Sequence, residues 1–521
     1  MKKLLCLAIV LVTAAGCASA RSASPAPSAP GQDGRVHFST STYSDIVEGD
    51  DYSNDGVYLY LSDRFNFDST FYRLNWEDGE TKNRLWIASG EMPDFTFWAG
   101  FNYAEYLSYI EQGLIAPLPD NWETQYPNLY TMVKATGIAD ALKIDGKTYA
   151  IPKAIFHMFA PTSRYYSNSF MQYRRDLAKK AGVEFGYTAT IDEFNDGIEK
   201  ILALEEARSI GLRGLVTVSW YLISNLMNVY NQHYDRFVKV NGEYVYGATL
   251  DGTVQGIAKL REMYQRGILD PDFYLAGTYD DSRNIFNAGG AAALWYGSSP
   301  DHIVLTIDAF QASNDTTDPY EDIGQIFWVD DNKTFHSNEQ ANYWSANLFK
   351  PGLEEVKFRR ILELMDFLCT LEGQELTHLG LEGVDYKKDN SGEYVVLREK
   401  DENGLYPHIG SKYPSTYMWY TMTILPDSFG FVNPSIDVRA RTTVIEMTKI
   451  MERGIITPID TDVFFYTSDV KSQYSVDFNS TIIRLMMDAN ADIEAGWKAF
   501  IEENRPMWEP LLKEYNSAFG K

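Results

Sequence analysis

The stretch 87–99 constrains the fold more than any other part of the chain. It reads Ile-Ala-Ser-Gly-Glu-Met-Pro-Asp-Phe-Thr-Phe-Trp-Ala. An apolar start breaks at Ser89 and Gly90, and an apolar run then resumes and closes with a tryptophan. Glycine takes the left-handed conformation that ends a helix at no steric cost, so a helix is expected to stop at Ser89-Gly90. Pro93 cannot continue a helix, and Asp94, Phe95, Thr96 and Phe97 then read as a short buried strand. Trp98 falls at the carboxyl end of that strand, the edge where open α/β sheets hold ligands. Packing in a core or an interface is the competing role for the same indole.

Similar punctuation recurs along the chain. Residues 35–42 and 70–75 read as strands, and 57–65 and 78–88 as helices. A helix over 103–112 stops at Gly113, and Asp145-Gly146 makes a tight turn before a short strand. Thr190 and Glu193 form the two ends of a capping box, so a helix starts there. Residues 254–266 are an amphipathic helix that stops at Gly267. A short helix from 286, the Gly289-Gly290 pair and an apolar strand over 291–294 lead into Trp295, Tyr296 and Gly297. Further helices are expected over 358–370, 438–452 and 491–503. Pro506 and Pro510 are expected to interrupt the chain before a last helical stretch near 511–515. Asp51-x-Ser53-x-Asp55-Gly56 faintly resembles a calcium loop, but its twelfth position is Ser62 rather than Glu. A solvated loop capping the next helix is the better reading.

The amino terminus has the layout of an export signal. Lys2 and Lys3 precede an apolar run over 4–13, too short to cross a bilayer as a stable helix. Ala14-Ala15-Gly16-Cys17 follows, and residues 18–34, rich in Ala, Ser and Pro, read as a flexible tether. No later segment reaches the roughly 20 uncharged apolar residues of a membrane helix. The chain has 521 residues, 45% of them apolar, which points to more than one domain. Its net charge of −26 becomes more negative once Lys2 and Lys3 are removed, a surface that repels nucleic acid. The cysteines are Cys6, Cys17 and Cys369. With Cys6 removed and Cys17 lipidated, no internal disulfide is possible. No Cys/His cluster suggests a metal, and no cofactor motif is present.

Several of these words, in order, resemble the solute-binding proteins of bacterial ABC importers, in particular their carbohydrate-binding group. They are Ser89-Gly90-Glu91-Met92-Pro93-Asp94 with Phe97-Trp98-Ala99, and Ala116-Pro117-Leu118 after the helix that stops at Gly113. Gly146-Lys147-x-Tyr149-x-x-Pro152, the run 173–194, Ile268-Leu269-Asp270-Pro271 and Gly380-Leu381-Glu382-Gly383 follow, with Met418-Trp419-Tyr420 towards the carboxyl end. In the run 173–194, Tyr173 to Leu177 corresponds to the family's helix after the first crossing between lobes. Small residues before Cys17 resemble the bacterial lipobox, with Ala14 where Leu is usual. Lipidation of Cys17 is the expectation and ordinary signal-peptide cleavage the alternative.

The resemblance implies a two-lobed α/β periplasmic-binding-protein fold of type II, with a hinge and a ligand cleft at the lobe interface. Residues 1–16 would be the signal peptide and 17–34 the lipidated cysteine and tether. The N-terminal lobe would take 35–157 and about 335–425, the C-terminal lobe 158–334 and about 426–521. The implied function is that of a lipid-anchored monomer outside the cytoplasm that delivers a sugar to ABC permease subunits. A pyranose has apolar C–H faces and a polar hydroxyl edge, so its site needs flat platforms beside fixed donors and acceptors. The platform candidates beside inferred strand ends or crossings are Trp98, Trp220, Trp295, Tyr296, Trp344 and Trp419. Asp94 reads as a structural cap, and His157, near the first crossing, as a structural residue. A peptide-binding receptor and a secreted glycan-active enzyme are the rivals. The latter would need two carboxylates facing across a cleft, and no Gly-x-Ser-x-Gly or His-Glu-x-x-His motif is present.

Overall fold

The structure, a computed structural model, describes residues 34–43, 49, 51–75, 78–162, 164, 166–167, 169–402, 404–424 and 427–520. The leader, Cys17 and the tether lie outside the described residues. Two five-stranded sheets organise the rest. In chain order their strands are β1 (Val36–Tyr43), β2 (Phe67–Leu74), β3 (Phe95–Ala99) and β4 (Ala150–Pro152). Next come β5 (Ser169–Arg174), β6 (Thr188–Thr190), β7 (Arg213–Val216), β8 (Ala291–Gly297) and β9 (Ile323–Val329). β10 (His336–Asn338) lies outside both sheets, β11 (Ser345–Phe349) returns to the first, and β12 (Ile455–Thr457) pairs with β10. The first sheet has the order β2-β1-β3-β11-β4, the second β6-β9-β5-β8-β7. All five residues of β3 and all seven of β8 are buried, as expected of strands covered on both faces.

One strand in each sheet runs against the rest. β11 is antiparallel to β3 and β4, while β1 is parallel to β2 and β3. β5 is antiparallel to β8 and β9, which are parallel to β7 and β6. These are the two strands the chain enters on crossing from the other sheet. The carboxyl ends of β1, β2, β3 and β4 therefore share an edge with the start of β11, and the second sheet is built the same way around the start of β5. Residues 153–168 and 330–344 join these edges, so the edges face each other.

The crossings are tied together. Arg164 gives two hydrogen bonds to Glu339, at 2.7 and 2.8 Å, which hold that carboxyl below the usual range. Asn342 accepts from the Phe156 amide and donates to the Phe156 and Ala135 carbonyls. Ser337 donates to the Tyr166 carbonyl at 2.9 Å.

The helices that matter below are α1 (Gly56–Phe65), α2 (Gly79–Ser89), α3 (Tyr103–Glu111), α4 (Ile191–Leu202) and α5 (Ser219–Asn231). They continue with α6 (Tyr279–Asn287), α7 (Pro300–Ser313), α8 (Thr416–Thr421), α9 (Thr461–Phe465) and α10 (Arg505–Phe519). Gly90 closes α2 at φ 71°, and the Thr190–Glu193 box opens α4. Asp55 caps α1, accepting from the Tyr58 amide at 2.9 Å, and its other oxygen accepts from the Ser415 amide at 2.8 Å. The Asp51–Gly56 segment thus spends this carboxylate on backbone amides. Asp94 likewise accepts from the Ser39 amide and from Lys357 at the start of β3, away from the facing edge.

Three expectations are corrected. Tyr173 and Arg174 end a strand rather than begin a helix, because Tyr173 is paired on both sides, with Ala293 and Gly324. The helix before the glycine pair begins at Tyr279 rather than near Phe286, and β8 runs on through Trp295, Tyr296 and Gly297. Pro506 and Pro510 do not interrupt α10. Pro506 lies in its first turn, where no donor is lost, and burial of Trp508, Leu511 and Tyr515 offsets the single bond lost at Pro510.

Each sheet has its own core. The first is built from residues of 38–154 and 343–424. The second body's core residues fall between 166 and 335 and between 431 and 515. Trp419 of α8 is fully buried in the first core, with the rings of Tyr58, Phe67 and Phe71 at 6.1, 5.8 and 5.3 Å. One short element bridges the bodies. Phe464 and Phe465 of α9 pack on Tyr343 and Tyr103 of the first, and the adjoining Tyr466 packs on Tyr515 and Phe519 of the second. Lys471 donates to the carbonyls of Val463, Phe464 and Tyr466 and fixes this turn.

Two substitutions test this architecture by urea unfolding of the leaderless chain. Trp419→Ala is expected to cost about 3–5 kcal/mol, the range for emptying a large aromatic site in a core. Asp55→Ala removes a helix cap and leaves a buried amide without an acceptor, a loss of about 1–3 kcal/mol. Wild-type stability in either would contradict the packing described.

Candidate functional site

The facing edges hold the chemistry. On the second body, β7 ends at Val216 and α5 follows, which places Trp220 in the helix's first turn. α6 runs back along β8, so its first residue, Tyr279, meets Tyr296 near the end of that strand. Trp220 is 42% exposed and Tyr279 37%, among otherwise buried aromatic neighbours. Their ring centres are 5.7 Å apart, Tyr221 lies 5.1 Å from Tyr279, and Tyr296 lies 6.4 Å from it. The Arg283 guanidinium stands 4.9 Å over the Tyr296 ring, and His302 meets that ring edge-on at 5.0 Å. The result is an aromatic surface with a cation and an imidazole at its margin. It offers apolar faces beside polar groups, the combination a sugar ring requires.

The opposing edge of the first body carries Tyr43, Phe97, Lys153 and Trp344. Tyr43 and Trp344 lie 5.2 and 5.6 Å from the Phe97 ring, and the Lys153 ammonium stands 3.0 Å over its centre. Lys153 is wholly buried, and burial drives its amine well below the ordinary lysine range. His157, on the first crossing, is tied through its backbone to Ser428, and burial lowers its imidazole.

The six platform candidates divide evenly. Trp220, Tyr296 and Trp344 stand at the facing edges, Tyr296 as a buried ring behind Tyr279. Trp98, Trp295 and Trp419 are core residues, 2%, 2% and 0% exposed. Trp98 alternates with Phe97 along β3 and so points to the opposite face, where Phe101 and Tyr109 cover it at 5.2 and 5.7 Å. Trp295 donates through its indole nitrogen to Ser169 and meets Trp328 edge-on at 4.7 Å. Sequence reasoning missed Tyr221, Tyr279, Arg283 and Lys153. Thr278 and Asp281, whose side chain accepts from the Thr278 amide at 3.0 Å, were the readable signal for a helix starting at Tyr279.

A second feature lies beside the patch. A partly open cavity of about 270 Å³ lies between α7 of the second body and first-body residues that include Ile409 and Tyr417. His302, already against Tyr296, forms part of its wall. Among the described residues no group of His, Cys, Asp and Glu is arranged to hold a metal ion, and no helix is long and apolar enough to cross a membrane.

Residues 66–322 match the family model described as bacterial extracellular solute-binding protein. A comparison with curated proteins finds no match. Several solved structures share the fold. The Streptococcus pneumoniae ABC-transporter substrate-binding protein FusA, in complex with kestose, is 14% identical with a TM-score of 0.64, covering 93% of this chain and 98% of that one. A solute-binding protein from Bifidobacterium longum infantis, described as binding HMO and associated with an ABC transporter, is 15% identical with a TM-score of 0.58, covering 94% and 100%. The Streptococcus pneumoniae N-glycan transport protein NgtS, in complex with Man5GlcNAc, is 14% identical with a TM-score of 0.56, covering 93% and 98%. At these identities the likeness is one of fold, two α/β lobes joined by crossing strands. Residues 66–322 of this chain thus resemble the bacterial extracellular solute-binding proteins, and the two-lobed fold extends over the described chain.

Proposed function

We propose that this chain is the substrate-binding component of a bacterial ABC importer, and that it captures an oligosaccharide between its lobes for delivery to a membrane permease. The observation that carries the reading is the half-exposed aromatic pair of Trp220 and Tyr279, backed by the buried Tyr296 and set at one strand-end edge. The fold neighbours whose descriptions name a ligand or cargo hold kestose, bind HMO or transport N-glycans, which supports a glycan over a peptide. The family is one of binding proteins, and an extracytoplasmic location follows from it.

The lobes in this reading are 35–157 with about 335–425, and 158–334 with about 426–521. A ligand that touches both lobes stabilises the closed arrangement by its differential affinity, and one that touches a single lobe cannot. Cys17 would carry the lipid that holds the monomeric body at the membrane, with residues 18–34 as its leash. Trp220 and Tyr279 would receive the apolar face of a sugar ring, with Trp344 approaching from the other side.

Calorimetry on the leaderless chain against neutral oligosaccharides and against peptides tests the reading. A glycan is expected to bind, with compaction in small-angle scattering at saturation. Trp220→Ala and Tyr279→Ala should each weaken it ~10-fold or more, equivalent to ~1.4 kcal/mol. Binding of peptides alone would overturn the proposal. So would glycan binding that is indifferent to both substitutions.

A further inference from the structure

The cavity beside the aromatic patch has its own chemistry. Leu305, Ile409, Ile436 and the Tyr417 ring give it apolar walls, and Asp308 and Arg398 give it polar ones. Asp308 Oδ1 is buried and accepts no hydrogen bond. Arg398 Nε is buried and donates none, while the guanidinium's terminal nitrogens go to the Pro407 carbonyl and the Ser435 hydroxyl, both uncharged. A buried acceptor and a buried donor, each without a partner, are expensive to keep in a folded chain. A ligand presenting both a hydroxyl donor and an oxygen acceptor relieves both at once.

Size and position narrow the ligand. At about 270 Å³ the cavity falls below the usual range for drug-sized pockets and suits one ring rather than a chain of rings. His302 meets the buried Tyr296 ring, which backs the exposed Trp220–Tyr279 pair, and also lines the cavity, so the two features are neighbours. We infer that this cavity receives the terminal unit of a neutral oligosaccharide, with one sugar hydroxyl donating to Asp308 and one sugar oxygen accepting from Arg398, while the remaining units lie on Trp220 and Tyr279. The inference rests on the sugar reading above and goes further by assigning an end-recognising subsite and its two polar contacts. A carboxylate brings no donor for Asp308 and an ammonium brings no acceptor for Arg398, whereas a neutral sugar end brings both, so an uncharged end is selected.

The electrostatics agree with this placement. Burial, assisted by the negative charge of Asp401, pushes the Asp308 carboxyl up to about 6. The titratable groups that line the same cavity or couple to it are Asp301 and His302 on its own helix, and Tyr320, His378, Arg398, Asp401, Tyr406, His408 and Tyr417 on the other elements. A carboxyl raised in the folded state favours folding fully below its unfolded pKa, and that contribution is lost as pH rises through about 6. Asp308→Asn therefore raises the melting temperature at pH 7.5, and the advantage disappears towards pH 4. That shift also shows that the variant is folded.

The test uses the leaderless chain and a panel of neutral tri- and tetrasaccharides that includes kestose, maltotriose and mannotriose, by calorimetry at pH 7.5. For the sugar that binds most tightly, Asp308→Asn and Arg398→Gln are each expected to weaken binding 10-fold or more. The same sugar with an acidic or amino terminal unit should bind at least 10-fold more weakly to the wild type. If Trp220→Ala weakens the sugar while both cavity variants bind as wild type, the subsite is overturned and the sugar reading stands. If no member of the panel binds, or if a peptide binds and the cavity variants weaken it, both readings fall.

Discussion

In each sheet the strand that follows a crossing is held antiparallel, because it enters from the edge at which its neighbours end. Its hydrogen bonds to the strands on both sides fix that direction, β11 between β3 and β4 and β5 between β8 and β9. The rest of the molecule depends on this arrangement. Loops and helix starts that follow parallel strands collect at one edge of a sheet. Two such edges joined by short crossings must confront each other. Aromatic residues at those positions become the walls of a shared cleft without any single segment encoding one.

The fold was largely legible in the sequence because its punctuation is chemical. Gly90, Gly113, Gly182 and Gly267 all take positive φ at or just beyond helix ends, and Asp145 and Gly146 take it in the turn before β4. Each is a local requirement that a reader of sequence can recognise. The Thr190 capping box is equally local. What failed was non-local. Tyr173 has helix-compatible neighbours, and only its pairing with two distant strands makes it strand. Pro510 is tolerated because three large side chains of the same helix are buried against a body the sequence does not display.

The candidate surface was only partly legible, for a related reason. Trp98 and Phe97 are adjacent, and period-two alternation sends one into a helix-covered core and the other towards the cleft edge. Which goes where depends on the faces of the sheet, which a single strand does not reveal. Trp220 and Trp344 were identifiable from their places beside a strand end and a crossing. The cavity of Asp308 and Arg398 joins residues 90 positions apart that carry no shared motif. Its signal is energetic, in unsatisfied buried atoms that only a folded chain has.

The turn around Phe464, Phe465 and Tyr466 has a further consequence. Its two phenylalanines stand on Tyr343 and Tyr103 of one lobe, while the adjoining tyrosine stands on Tyr515 and Phe519 of the other. Lys471 braces the turn through three carbonyls, so it behaves as a clasp rather than as a slack thread. Separating the lobes must strip aromatic surface from one side of that clasp. The contact between the two bodies therefore depends in part on a turn that carries none of the six platform candidates.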